Sequence, residues 1–514
     1  MKTTILLYLP QENAVLEKTV EALAKQRVKD FNVVFFGEAT EAVKSAVSEL
    51  PKVDFVKDDP ENYSATLNKG LKFAEGDFVM LIDNRTNPVF PKYAALEALL
   101  LAAERNSDAG LFYTDYELED SGEVKEIKLL YHHQGRVRDN QDYGKLFFIR
   151  KCALEKIGGF DENLKYKTLY DMRLKISEYT KLIRISNRYS GSYYRVVAAS
   201  KKANVFDYLL AGKDLQIEAE NVVTEHLKRI GAYLAPGFLA PVAKKVSRQH
   251  SLTASIIIPV GKRPEFIGTA IESVQAQTVK DVEIIVVVNG GESDPTADVV
   301  RSYMPGGEKY DASKPEVRLI VVDINSIGYC LDLGAKNARG KYYVQLDSDD
   351  RLKPDAVEKI LAVYESDPNI GMVVGSYEVW EKLESGELKR MEAIPVVTHD
   401  EWTEENGRNN LLRINGAGAP RSVPIHIIEE MGWFSINDDE YARNYGEDYE
   451  MVNKIAEHYR IGRVWDPIYE VIRHSGGTDH AIDQNTVDRN DNAKDDMRKL
   501  AIRRRIAMNK AAKK

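Results

Sequence analysis

Gly340-Lys-Tyr-Tyr-Val-Gln-Leu-Asp347-Ser348-Asp349-Asp350 is a short hydrophobic run that ends in three carboxylates. It reads as a buried strand emerging at a sheet edge, where acidic side chains can hold a hard divalent cation and, through it, a phosphate. The same letters, followed by Arg351-Leu-Lys-Pro354, are also good turn and helix-cap composition. Alternate strand residues point to opposite faces, so Asp347 and Asp349 reach one ion only if the chain turns there. Asp350 to Pro354 supports such a turn.

The stretch has a counterpart. Gly76-Asp-Phe-Val-Met-Leu-Ile-Asp83 matches Gly340 to Asp347 at a shift of 264 positions, and Leu67-Asn68-Lys-Gly70 falls on Leu331-Asp332-Leu-Gly334 at the same shift. Upstream, Leu16 to Gln26 followed by Phe31 to Gly37 answers Ile267 to Gln277 followed by Val282 to Gly290. Downstream, Ile157-Gly-Gly-Phe160 answers Met431-Gly-Trp-Phe434, and Tyr170 to Ile176 answers Tyr449 to Ile455. One long unit written twice is a domain duplication and not a solenoid array.

The second copy reads as alternating strands and helices. Strands are expected at Ala254–Val260, Val282–Val288, Val317–Val322 and Tyr342–Leu346, with helices over Pro264–Thr278 and Tyr329–Ala338. Such alternation implies an α/β fold with a mainly parallel sheet, whose ligands bind beyond the C-terminal strand ends. Asp207–Gly231 has helical spacing, and Ala235-Pro-Gly-Phe-Leu-Ala-Pro241 breaks it. The expected organisation is one domain at 1–200, a helical linker at 201–250, a second domain at 251–480 and a basic C-terminal helix at 481–514.

At 514 residues the chain exceeds one hydrophobic core, and 43% hydrophobic with 29% charged residues excludes a fibrous or disordered class. The net charge of −9 argues against nucleic acid as the main partner. Cys152 and Cys330 are too few for a disulfide framework or a zinc site, which points to a reducing compartment. Pro10 and Gln11-Glu12-Asn13 cut short the apolar opening, and no segment approaches the roughly 20 apolar residues of a membrane span. A cytoplasmic location is expected, with a peripheral place at the inner face of the membrane as its variant.

The second copy carries three polar features that the first lacks. Besides Asp347 and Asp349, these are Glu447-Asp448 at the start of an expected helix, and His474 beyond an expected strand. Acids in a first helical turn also complement the helix dipole, and a lone histidine is commonly structural. In the first copy Asp83-Asn84-Arg85 places arginine where Asp349 stands, Thr168-Leu169 replaces Glu447-Asp448, and Val196 replaces His474. Joint absence suggests one functional constellation, present once.

In this order the motifs resemble family 2 of the glycosyltransferases, which have the GT-A fold. The residues that carry the resemblance are Ser255-Ile-Ile-Ile-Pro259-Val260, Arg263-Pro-Glu-Phe266, Ile271 to Thr278, Glu283 to Val287, Leu346 to Asp350 and Gly446-Glu447-Asp448. The resemblance implies two GT-A domains in tandem, the first degenerate, and a metal-dependent inverting transfer of a sugar in cell-surface glycan synthesis. The donor would be a nucleotide sugar, a UDP-sugar foremost, and the acceptor a glycan, a lipid-linked saccharide or a protein. It further implies that Asp347, Asp349 and His474 hold Mn²⁺ or Mg²⁺. Pro259, Val260, Arg263, Asn289, Asp332, Asp347 and Ser348 would bind the donor. Asp448 would be the general base, with Glu447 orienting it or acting as the base itself. The chain departs from the family at Val288-Asn289, where paired aspartates are usual, and at Asp332, where asparagine is usual.

Two other readings stand beside this one. The protein could be a binding scaffold without turnover, or the first domain could transfer without metal, using Arg85. The C-terminal run, with Arg498-Lys499 and Arg503-Arg504-Arg505 among Met497, Leu500, Ile502, Ile506 and Met508, reads either as a helix packed on the second domain or as one lying on an anionic membrane.

Overall fold

The computed structural model describes residues 2–198, 212–237, 249–398, 406–416, 418–436, 445–474 and 484–513. The boundaries expected at 200, 201, 480 and 481, the start of the helix expected from Asp207, and most of the polar stretch before His250 lie outside the described residues. The chain divides into two compact units, Met1–Ile230 and Gly231–Lys514.

The first unit is built on a seven-stranded sheet. Its strands are β1 (Thr3–Tyr8), β2 (Phe31–Phe36), β3 (Val53–Val56), β4 (Phe78–Ile82), β5 (Ala109–Thr114), β6 (Leu146–Arg150) and β7 (Lys181–Ile185). Their order is β3-β2-β1-β4-β6-β5-β7, with β6 antiparallel to both neighbours and every other pairing parallel. A four-stranded sheet of Val89–Pro91, Tyr194–Val197, Tyr116–Asp120 and Glu123–Ile127 accompanies it.

The second unit repeats this plan. Its corresponding strands are β8 (Leu252–Val260), β9 (Val282–Val288), β10 (Glu316–Val321), β11 (Gly340–Gln345), β12 (Ile370–Lys382), β13 (Arg421–Pro424) and β14 (Arg460–Arg473). They lie in the order β10-β9-β8-β11-β13-β12-β14, again with one strand, β13, antiparallel to both neighbours. Short strands Arg351–Leu352 and Leu388–Arg390 pair with β14 and β12. The central strands are continuous apolar runs because the sheet is covered on both faces: Ile256, Ile257 and Ile258 are fully buried, and so are Ile284, Ile285 and Val286.

Local chemistry repeats with the topology. Thr4 donates to Asn32 across β1 and β2 at 2.7 Å, and Ser255 donates to Glu283 across β8 and β9 at 2.6 Å. Glu283 also accepts from the Arg339 amide and from the guanidinium groups of Arg318 and Arg339. Burial alone would raise its carboxyl, but these bonds outweigh it and hold the group below its ordinary range. Gly340 is required at the start of β11, because a Cβ there would stand 2.3 Å from the carbonyl carbon of Ala254.

Each unit closes with a helix laid beside one that follows the strand antiparallel to both its neighbours. Lys213–Arg229 packs on Thr168–Ser177 within the first compact unit, with His226 and Arg229 bound to Glu178. Gln484–Ala512 packs on the acidic helix Glu447–His458, with Arg504 on Glu457 at 2.8 Å.

That packing agrees with the reading of the C-terminal run as a helix packed on the second domain. Met497, Ala501 and Ile502 are buried, Arg498 binds Asp495 and Asn415, and Arg505 donates to the Arg408 carbonyl. An interfacial helix needs its apolar face free for lipid, and here Met497, Ala501 and Ile502 are used against the second unit while Leu500, Ile506 and Met508 are half-buried. Among the described residues no helix is long and apolar enough to cross a membrane.

Candidate functional site

At the C-terminal end of β11 the chain turns, and the Asp350 amide donates to the Asp347 carbonyl at 3.2 Å. Asp350 is buried and accepts the Ile472 amide at 2.8 Å, while the Asp347 amide donates to the Tyr469 hydroxyl at 3.1 Å. These bonds tie the acidic turn to the end of β14. They deliver His474, whose Nε2 lies 3.0 Å from Asp349 Oδ2 and whose ring packs at 4.2 Å on Phe266. Arg263, at the start of the helix Pro264–Gln275, places Nη1 2.9 Å from the same Asp349 oxygen.

Asp347 is tuned differently. Burial raises its carboxyl, Arg421 works against that, and the neighbouring charge of Asp349 adds to it, leaving the group above its ordinary range. Ser348, between the two, is buried.

The acidic helix begins at Gly446, whose φ of 86° is left-handed. A Cβ at Gly446 would lie 3.0 Å from Met497 Cε, so glycine also admits the C-terminal helix. Asp448 Oδ1 accepts the Tyr449 amide at 2.7 Å, and its Oδ2 lies 3.2 Å from Arg421. Burial favours the protonated form of Asp448, but Arg421 and then Lys494 outweigh it and lower the carboxyl. Glu447, more deeply buried and beside that charge, is pushed up to about 7. Two adjacent carboxyls are thus driven apart, a pattern that separates acid from base roles.

A cavity of about 370 Å³ opens beyond the ends of β8, β9 and β10, lined by Gly261, Lys262, Asn289, Gly290, Asp323 and Asn325. Asn289 donates to Asn325 at 3.2 Å. A Cβ on Gly261 would stand 2.1 Å from the Asn289 side-chain oxygen, so glycine makes room for that amide. A larger cavity of about 860 Å³ lies in the first unit, among Tyr131, Arg136, Glu178, Arg184 and His226, away from the acidic turn of that unit.

The structure thus brings Arg263, Asp349 and His474 together, pairs Asp448 with Arg421, whose charge also acts on Asp347, and puts Asn289 in a cavity. It does not bring in Pro259, Val260 or Asp332. Pro259 is a buried ladder residue registered on Val287, and Val260 packs in the core, because a strand still inside its sheet has no free face. Asp332 is buried and accepts the Phe434 amide at 2.9 Å, as Asn68 accepts the Phe160 amide at 2.9 Å in the first unit. This position holds the fold in both copies.

Sequence reading missed Lys262, Asp323, Asn325, Arg421 and Lys494. Asp323 and Asn325 follow a parallel strand, and the strand-end rule could have found them. Nothing local marks Arg421 or Lys494.

In the first unit the corresponding turn is closed on itself. Arg85 grips Asp83 with Nε at 2.7 Å and Nη2 at 3.1 Å, and its guanidinium lies 3.5 Å from the centre of the Tyr63 ring. Asn84 exchanges hydrogen bonds with the backbone of Tyr8.

Residues 255–418 match the model of glycosyl transferase family 2. The match begins in β8, takes in the cavity and the acidic turn, and ends before Arg421 and the acidic helix. An uncharacterised glycosyltransferase of Rickettsia prowazekii is 34% identical over 125 residues, 24% of this chain and 36% of that protein. The chondroitin synthase of Escherichia coli is 33% identical over 119 residues, 23% of this chain and 16% of that protein. The chain therefore matches well under two thirds of the length of either relative. A solved mannosyltransferase of Pyrobaculum calidifontis, in complex with GDP-Man and Mn²⁺, is 14% identical, with a match that covers 58% of this chain and 83% of that one at a TM-score of 0.34.

Proposed function

We propose that the second unit is a metal-dependent inverting glycosyltransferase acting on a nucleotide sugar, a UDP-sugar foremost. The observation that carries this reading is Arg421, 3.2 Å from Asp448 and electrostatically coupled to Asp347. It makes the acidic turn and the acidic helix two walls of one site, beside the cavity of Asn289. The family match and the glycosyltransferase relatives support it.

The residues fit a divalent cation. Asp349 and His474 already share a point, and the Asp347 carboxyl is burdened by burial and by Asp349, so added positive charge there is favourable. Among the described residues no three acidic, histidine or cysteine groups yet converge as an ion cage, and Arg263 takes the cation's place on Asp349. Mn²⁺ or Mg²⁺ held by Asp347, Asp349 and His474 would neutralise the departing diphosphate.

The chain's own groups perform the rest. Asn289, with Asp323 and Asn325, offers donors and acceptors to a nucleoside edge. Arg263 is placed to turn from Asp349 to a diphosphate oxygen. Asp448, held ionised by Arg421, accepts the proton of the acceptor hydroxyl as that oxygen attacks the anomeric carbon opposite the leaving group, a role worth roughly 10²–10⁴-fold. Glu447 orients it or takes the proton in its stead.

The first unit serves as scaffold or acceptor-binding module, a degenerate second GT-A domain that shares the strand order. Metal-free transfer by Arg85 has little support, because Asp83 and Tyr63 already engage its charge. The acceptor is a glycan, a lipid-linked saccharide or a protein, in cell-surface glycan synthesis. A screen of UDP- and GDP-sugars with and without Mn²⁺ tests the reading. Metal-supported hydrolysis or transfer, lost in Asp448→Asn, is expected; full turnover by that variant overturns it.

A further inference from the structure

The two units differ in what their closing helix brings to the helix beside it. Both closing helices are bolted to the C-terminal end of the neighbouring helix by an arginine–glutamate pair, Arg229 with Glu178 at 2.9 Å and Arg504 with Glu457 at 2.8 Å. About three turns earlier in each helix a charged residue reaches the start of the neighbouring helix. In the first unit this is Glu218, whose carboxylate accepts the amides of Lys165, Tyr166 and Lys167 at 2.8, 2.7 and 2.6 Å. It fills the mouth of the helix whose first residues, Thr168-Leu169, stand for Glu447-Asp448.

In the second unit the residue is Lys494. Its ammonium donates to the Asn415 carbonyl and lies 4.9 Å from the Tyr445 ring centre and 5.5 Å from that of Tyr449. Asn415 stands on the segment that leads to Arg421, so one lysine links that segment to the mouth of the acidic helix. The stem of Lys494 lies against Gly446, where a Cβ would stand 3.7 Å from Lys494 Cγ, directly before Glu447-Asp448, and burial lowers the lysine despite the pull of Asp448. The other charged or titratable groups facing the cluster are Arg421 of β13, Asp347 and Tyr343 from the end of β11, and Asp491 and Arg498 of the C-terminal helix.

We propose that Lys494 is a positioning residue of the Asp448–Glu447 pair, so that the C-terminal helix completes the candidate active site. The inference rests on the glycosyltransferase reading for its consequence in catalysis. A cation beside the pair favours ionised carboxylate. Removing it raises the proton affinity of both acids and moves the acidic limb of the rate profile to higher pH.

The test uses the full chain with Lys494→Met, which keeps the aliphatic stem, and Lys494→Arg, which keeps the charge. Rates are read as Mn²⁺-supported hydrolysis of UDP-glucose, UDP-N-acetylglucosamine and GDP-mannose across pH. Independently, the Glu447 carboxyl is titrated by ¹³C NMR in protein labelled at glutamate, with Glu447→Gln giving the assignment. The methionine variant is expected to move both the limb and the Glu447 titration up by about one pH unit, and the arginine variant to restore them. A rate lowered by the same factor at every pH, with the Glu447 titration unmoved, overturns the proposal and leaves Lys494 a tie to Asn415. If the wild-type chain turns over none of these donors, the glycosyltransferase reading falls while the NMR titration still decides for or against Lys494.

Discussion

Arg263 places its Nη1 2.9 Å from Asp349 Oδ2, so a guanidinium stands on the carboxylate proposed to hold a metal. Arginine and a divalent cation then compete for one oxygen. Arg263→Met is expected to tighten Mn²⁺ binding several-fold in the absence of donor, while weakening the donor through loss of a phosphate partner. Calorimetry with Mn²⁺ alone reads the first effect; unchanged affinity means that the ion does not use Asp349.

Glu447 predicts a pH dependence of stability. Its folded value of about 7 lies above the ordinary 4.5, so the folded chain holds this proton more tightly than the unfolded one. The associated stability is fully present below pH 4.5 and is lost as pH rises toward 7. Glu447→Gln mimics the protonated form and removes the loss. At pH 8 it is expected to stabilise the second unit by up to about 3 kcal/mol relative to wild type, with little difference near pH 4. Urea unfolding at both pH values checks this, and an equal effect at both contradicts the buried, raised carboxyl.

Arg85→Ala separates the units. It leaves the buried Asp83 carboxylate without its bidentate partner, which costs about 3 kcal/mol in a site of this kind. The first unit is expected to unfold at lower urea while sugar transfer at ordinary temperature is unchanged. Loss of transfer with the fold intact would place chemistry in the first unit.

Deleting residues 484–514 decides what the basic C-terminus is for. The deletion uncovers the partners of Met497, Ala501 and Ile502 and takes the Arg504 partner from Glu457, so aggregation or a large loss of stability is expected. The intact chain is expected not to float with anionic phosphatidylserine vesicles, because Met497, Ala501 and Ile502 are already buried. Tight flotation of the intact chain would favour the membrane reading.

The α/β plan of the chain was legible in the sequence because buried parallel strands are written as continuous apolar runs. Val282–Val288 was placed to the residue, and the other expected strand and helix ends of residues 254–346 moved by a few positions at most. The sequence alone also set apart Asp347, Asp349, Glu447, Asp448 and His474, since comparing the copies exposes residues that one has and the other lacks. Tertiary structure decided how these groups are arranged. His474 reaches Asp349 only through the bonds that pin β14 to the acidic turn, Arg421 pairs with Asp448 from more than 20 residues away, and Lys494 arrives on a helix that the sequence shows only as a basic run. Strand order and helix packing fix such contacts. Periodicity records which face of an element is buried, but it does not record what that face meets.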